Sequence, residues 1–253
     1  MVTQSLPQSA LGVIENYWKL KAADNKYIRC PYFRNPISGR DKWKLTVYSG
    51  KGSPQEIETE LKILEKLENK DFSTMQESEI RDIMKKRKLG VECSGFIARV
   101  LDEWMRDLHK KPLRSLIYFN TKGLDALFSK MRPYTHINVA TFTHERNAKE
   151  IKDVGSIGPG DIIIFDGSID HAAIITKTEK DALGKLERIF YAHSVFESSG
   201  EGVKRGILKF INADGDLMSQ AWSEEPETGH TIKERGEPHI YRLHILGRGT
   251  RTS

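Results

Sequence analysis

The sharpest hydrophobic period lies mid-chain. From Cys93 onward, Phe96, Ile97, Val100, Leu101, Trp104 and Leu108 recur at three- and four-residue intervals, with Arg99, Asp102, Glu103 and Arg106 between them. That spacing lines one side of an α-helix, so the pattern predicts a core helix with a solvated back, starting at Cys93 and closed by Pro112. Upstream, Ser53, Pro54 and Glu56 fit the N-cap, N1 and N3 positions of another helix. A hydroxyl and a carboxylate at that spacing each satisfy an unpaired backbone N–H, and proline is tolerated at the first helical position. Ile57, Leu61, Leu64 and Leu67 form its apolar stripe. A further helix follows Ser73 or Thr74, carries Ile80 and Met84 inward and stops at Gly90. Residues 1–52 read as loops punctuated by Pro31, Pro36, Gly39, Gly50 and Gly52, with one short helix near 10–22.

From residue 161 the period shortens to that of strands, expected at 161–165, 171–176, 186–193, 206–210 and 241–246. Residues 212–238 read as a long polar loop, and 113–158 carry no pattern that orders them. Helices first, then a roughly five-stranded antiparallel sheet, is an α+β order. The chain divides into a lead-in and helical pair, 1–88, packed on a core, 89–253.

Composition narrows the class. With 38% apolar and 30% charged residues, the 253-residue chain is globular rather than disordered. No apolar run approaches the roughly 18 residues a membrane span needs, so none is expected. Residues 1–20 lack a basic segment followed by an apolar one, since Glu15, Asn16 and Lys19 interrupt it. The expected location is therefore the cytoplasm, the alternative being export by a non-classical route. Two cysteines, Cys30 and Cys93, support neither a disulfide framework nor a Cys-rich zinc site. The net charge of +5 is too mild to select an anionic partner, and no nucleic-acid partner is expected. Gly50-Lys51-Gly52-Ser53 lacks phosphate-loop spacing and reads as a helix entrance, and Lys85-Lys86-Arg87-Lys88 as a solvated helix end. His144-Glu145 lacks the second histidine of a zinc helix, and no metal or cofactor is expected.

Three residues carry candidate chemistry. Cys93 opens its helix, where unpaired N–H groups and the helix dipole favour a thiolate. Ser94 and Gly95 are small enough to let a substrate carbonyl approach the backbone, where the Cys93 N–H contributes to an oxyanion hole. Taken alone, a cysteine there is more often a buried apolar residue than a nucleophile. His171 opens the second strand, after the Pro159-Gly160-Asp161 turn and the first strand. His193 ends the third. A hairpin centred near Ala182 sets 171 opposite 193, on one face of the sheet, so that His193 can orient the His171 ring.

Four segments, in order, resemble one family. Gly90-Val91-Glu92-Cys93-Ser94-Gly95-Phe96-Ile97, Pro159-Gly160-Asp161-Ile162-Ile163-Ile164-Phe165, His171-Ala172-Ala173-Ile174-Ile175 and Tyr191-Ala192-His193-Ser194 are similar to the motifs of NlpC-type (NlpC/p-sixty) cysteine peptidases. The resemblance covers about 88–246. It implies a papain-like α+β fold, with Cys93 as nucleophile, His171 as base and His193 behind it as the third catalytic member. It also implies a peptide or cell-wall fragment as substrate, cleaved at an amide bond of a peptidoglycan stem peptide. Glu92 stands where the family usually has Asp, and the helical pair 53–89 separates Cys93 from the tyrosine that normally precedes it closely. Tyr32 is the candidate for that oxyanion-side tyrosine, with Tyr27 nearly as good. Two alternatives stay open: an acyltransferase using the same Cys/His pair, and a non-catalytic binding module.

Overall fold

The protein is described as a computed structural model covering residues 1–34, 46–121, 133–167, 170–196, 201–212, 215–226 and 232–247. Pro36 and Gly39 lie outside the described residues. Among the described residues, four long helices lie in the first half of the chain: α1 (Gln8–Trp18), α2 (Pro54–Leu67), α3 (Glu77–Lys86) and α4 (Cys93–His109). The strands are β1 (Val2–Ser5), β2 (Leu20–Ala23), β3 (Lys26–Ile28), β4 (Ala148–Glu150), β5 (Ile162–Asp166), β6 (His171–Lys180), β7 (Leu186–Val195), β8 (Gly202–Lys209), β9 (Ala221–Glu225) and β10 (Glu237–Leu243). All except the small β2–β3 hairpin join one antiparallel sheet of order β4-β10-β5-β6-β7-β8-β9. There β1 pairs residues 177–180 of β6, beyond the stretch covered by β5. This is an α+β architecture, and the lead-in supplies one of its strands.

The sheet is buried on both faces, which is why its central strands read as continuous apolar runs rather than clean alternation. Ile162, Ile164, Ala172, Ile174 and Ala192 share one core with all four helices. The other face turns Ile163, Phe165, Ala173, Ile175, Tyr191, Leu208 and Trp222 into a second core. Helix α4 lies across β6 and β7. Phe96, Ile97, Val100 and Leu101 are fully buried there. Burial stabilises each by about 1.5–3 kcal/mol relative to exposure, and this clamps the Cys93 end of the helix to the sheet.

Helix α2 begins as its sequence requires: the Glu56 N–H donates to Ser53 Oγ at 3.2 Å, and the Ser53 N–H donates to Glu56 Oε2 at 2.6 Å. Elsewhere the structure corrects the sequence reading. Among the described residues, eight strands form the main sheet rather than five. The three unread strands, VTQS, AKE and AWSEE, are short and mostly polar, and it is their backbone groups that pair. The last strand spans Glu237–Leu243 and gives way to a helical turn, His244–Gly247. Pro238 is tolerated because β4 pairs only residues 241–243, so the edge beside Pro238 needs no donor. Helix α3 starts after Gln76, whose N–H donates to Glu79 Oε2 at 2.8 Å, rather than after Ser73 or Thr74, and ends at Lys86 rather than Gly90. On α4, Asp102 does not face solvent. It is buried, accepting the Leu113 N–H at 2.7 Å and Arg106 Nε at 2.9 Å, while Leu108 is exposed.

Candidate active site

Glu92 is the N-cap residue of α4, yet its side chain makes no capping bond to the helix. Its carboxylate turns to the buried Lys51, whose ammonium donates to Glu92 Oε1, to the Ile137 carbonyl and, at 2.6 Å, to Ser94 Oγ. Ser94 Oγ in turn donates to Glu92 Oε1 at 2.7 Å. The Glu92 and Ser94 side chains therefore leave the first turn uncapped, with the Ser94 N–H facing the Cys93 sulfur. The Ser94 hydroxyl is tied into this ion pair. Gly95 serves packing rather than substrate access: a Cβ on it would stand 2.2 Å from the Gly50 carbonyl oxygen. The Gly50–Ser53 segment is thus more than a helix entrance, because it delivers Lys51 beneath Cys93.

The β6–β7 ladder ends at Ile174↔Ala192, although the strands run on to His171 and Val195. Cys93 sits at this splayed end, where the backbone N–H groups of Ala172 and Ser94 act on its sulfur electrostatically, favouring the thiolate. Ser194 Oγ donates to the Val91 carbonyl at 2.7 Å, which ties the residues leading into α4 to β7. Continued along the strands, the register sets His193 opposite Ala173, two residues from the pairing the sequence suggested, because the hairpin turns about Leu183. A two-residue slip preserves the face. His171 and His193 are therefore diagonal neighbours on the second face, with His171 Nε2 2.9 Å from His193 Nδ1 and the rings edge to face.

Behind His193 stands a residue that sequence reasoning missed. Glu224 Oε1 lies 3.0 Å from His193 Nε2, off the ring N–H direction, so the contact is chiefly electrostatic. The Tyr191 hydroxyl donates to the same oxygen at 3.2 Å, as does the Ile232 N–H at 3.2 Å. Lys204 Nζ donates to Glu224 Oε2 at 3.2 Å. Glu224 lies on β9, inside the stretch read as a polar loop, and only the alternation Trp222, Glu224 within AWSEE hinted at an inward face.

Tyr32 bridges to Val91 and lines a cavity of about 380 Å³ with Arg34, Glu92, Cys93, Ser94 and Asp170. Asn138, which caps the short helix Val139–Thr143 by accepting the Thr141 N–H at 3.0 Å, completes the rim. That rim comes from the stretch the sequence left unordered. Tyr27, on β3, is exposed and does not line this cavity. Asp161 of the Pro-Gly-Asp turn is a structural clamp, bound through both oxygens by Arg242 of β10 at 2.7 Å each.

The electrostatics overturn one expectation. Burial first, and the Glu92 carboxylate second, push the Cys93 thiol up to about 11, outweighing Lys51 and the two backbone N–H groups. Burial, with His193, holds His171 well below the ordinary 6.5. At neutral pH both groups rest uncharged. Burial opposes the charged form of Glu224, but His193 and Lys204 overcome it and bring the carboxyl down to about 2. Burial raises Tyr32, which stays a protonated donor. Cys30 and Cys93 are both free thiols. Among the described residues no group of three or more His, Cys, Asp or Glu is arranged to hold a metal, and no helix is long and apolar enough to cross a membrane. No protein-family model, curated protein or solved structure matches the chain.

Proposed function

We propose that this protein is a papain-like cysteine hydrolase of the NlpC type, cleaving an amide bond through an acyl-enzyme on Cys93. The observation that carries the reading is the 2.9 Å contact of His171 Nε2 with His193 Nδ1, made at the strand end where the Ala172 backbone meets the Cys93 sulfur. With its Nε2 committed to His193, His171 has Nδ1 left for the thiol proton. As the Cys93 sulfur attacks the carbonyl carbon, its proton passes to His171, and the developing oxyanion takes the uncapped N–H groups of the first α4 turn. The imidazolium then protonates the leaving amine. Water, deprotonated by His171, releases the acyl group as a carboxylic acid and restores the thiol. Because thiol and imidazole rest neutral, the proton moves with the attack rather than before it.

The substrate class rests on the motif resemblance: short peptides containing D-amino acids or γ-linked glutamate, as in peptidoglycan stems. The cavity suits a peptide bearing both charges, since Arg34 and Asp170 both line it. The test is incubation of the protein and a Cys93→Ala control with peptidoglycan fragments and with a peptide library, reading products by mass. Cleavage of wall fragments by the wild type alone supports the reading. Efficient cleavage of ordinary L-peptides or lipid esters, with none of wall fragments, refutes the substrate class, and equal turnover by Cys93→Ala refutes the mechanism. A second reading, a non-catalytic module that binds such fragments, draws on the same raised thiol. It predicts binding without product.

A further inference from the structure

The polar line behind His171 runs across three strands. In the β7–β8 register His193 faces Lys204 and Tyr191 faces Gly206, and in the β8–β9 register Gly206 faces Glu224. All five residues share the second face. Gly206 lets the line form, because a Cβ there would stand 2.1 Å from Tyr191 Cζ, whereas its absence lets the Tyr191 ring lie across to Glu224.

Every neighbour named above turns a hydrogen toward Glu224: the Tyr191 hydroxyl, the Ile232 N–H and the Lys204 ammonium. An ionised carboxylate only accepts. The Glu224 carboxylate, 3.0 Å from His193 Nε2, favours the positive end of an N–H dipole over a lone pair at that nitrogen, even off the bond direction. With that single proton, His193 keeps its lone pair on Nδ1 and the 2.9 Å contact requires His171 to donate from Nε2, whereas a second proton on His193 would reverse the donation. His171 Nδ1 is left without a proton. We propose that Glu224, held by Lys204 and Tyr191, is a positioning residue that fixes both histidines as Nε2–H tautomers and so keeps His171 Nδ1 as the acceptor for the Cys93 proton. Lys204 keeps the carboxylate ionised, since a protonated Glu224 could donate to His193 Nε2 and reverse every donor in the line. The inference rests on reading Cys93 and His171 as the reacting pair, but the tautomers are observable without substrate.

The experiment is long-range ¹⁵N–¹H correlation on histidine-labelled protein near neutral pH, on the wild type, Glu224→Gln and Glu224→Asp. The wild type is expected to show Nε2–H at both His171 and His193. Glu224→Gln, whose amide can donate to His193 Nε2, is expected to shift His171 toward Nδ1–H, and Glu224→Asp to keep Nε2–H. On any substrate the wild type cleaves, Glu224→Gln should lower kcat at least about tenfold with KM little changed, since a wrong tautomer removes the base rather than binding. Nδ1–H at His171 in the wild type overturns the inference, and so does an unshifted tautomer in folded Glu224→Gln. Should Glu224→Gln not fold, the wild-type spectrum alone decides. A wild type with both Nε2–H tautomers but no turnover supports the tautomer assignment and refutes the hydrolase reading; Nδ1–H at His171 in an active enzyme does the reverse.

Discussion

At Cys93, opposing influences meet on one sulfur atom. The helix start and Lys51 favour the thiolate, while burial and Glu92 favour the thiol and prevail, at about 11. An ordinary cysteine titrates near 9. The thiolate fraction at neutral pH is therefore roughly a hundredfold lower, and iodoacetamide should label Cys93 slowly at pH 7 and faster as pH rises toward 11. Cys30, fully buried with its thiol raised higher still, should stay unlabelled across that range. Mass mapping of the labelled peptides checks both, and rapid labelling of Cys93 at pH 6 would show instead a resting thiolate–imidazolium pair. Cys93→Ala should abolish turnover while leaving far-UV dichroism unchanged, because alanine is a good helix former and the lost sulfur is small. The two histidines should separate in kcat/KM. His171→Ala removes the proposed proton acceptor and should approach the Cys93→Ala defect, whereas His193→Ala costs the orientation and tautomer control proposed for it and should lose less. Replacing His193 by Asn or Gln should recover part of that loss, because each keeps a group that can pair with the ring. A His193→Ala defect as deep as that of His171→Ala, with no recovery, would reverse the two roles.

Elements are held in place by single contacts that can be tested one at a time. Gly206→Ala should force the Tyr191 ring off Glu224, since backbone strands on both sides leave the new methyl no retreat. An overpacked site of this kind costs about 1–3 kcal/mol, which urea unfolding would measure as a lower midpoint at unchanged slope. An unchanged midpoint would mean that β8 yields where the packing says it does not. At the entrance to α2, Ser53→Ala removes one half of the reciprocal cap and should cost about 1 kcal/mol, without touching Lys51 or the cavity around Cys93. The α2 entrance and α4 were legible in the sequence because both are written in local spacing. Strands β1, β4 and β9 were not, since their partners lie far along the chain and the strands have few inward side chains.

For the whole molecule, the buried line makes stability depend on pH. His171 is held below 6.5, so as pH falls past that value the unfolded chain takes up a proton the folded chain refuses. Stability contributed by this group is present above 6.5 and is lost on acidification, by up to about 1.4 kcal/mol per pH unit. Glu224 acts in the same direction lower down: it stabilises fully above 4.5, and that contribution disappears as pH falls toward 2. Urea midpoints between pH 8 and 4 should therefore begin to fall near 6.5, and His171→Gln should flatten the upper part of the decline. A flat wild-type profile from 6.5 to 5 would mean that His171 titrates freely and is not enclosed as described.

The sequence by itself determined the local features: the α4 period, the Ser53–Glu56 cap, the helix-then-strand order, and the four segments that single out Cys93, His171 and His193. It determined that the two histidines share a face, because parity survives a two-residue slip of the hairpin. Only the tertiary structure decided what surrounds them. Lys51 reaches beneath Cys93 from a segment 42 positions earlier, and Glu224 reaches His193 from a strand 31 positions later. No local period marks such partners, because a buried charge is defined by the groups that neutralise it rather than by its neighbours in the chain. For the same reason the sequence favoured a thiolate at Cys93 where the fold keeps a thiol: a helix start can be read from spacing, whereas the desolvation that opposes it exists only once the sheet, α4 and the Lys51 segment have closed around the sulfur.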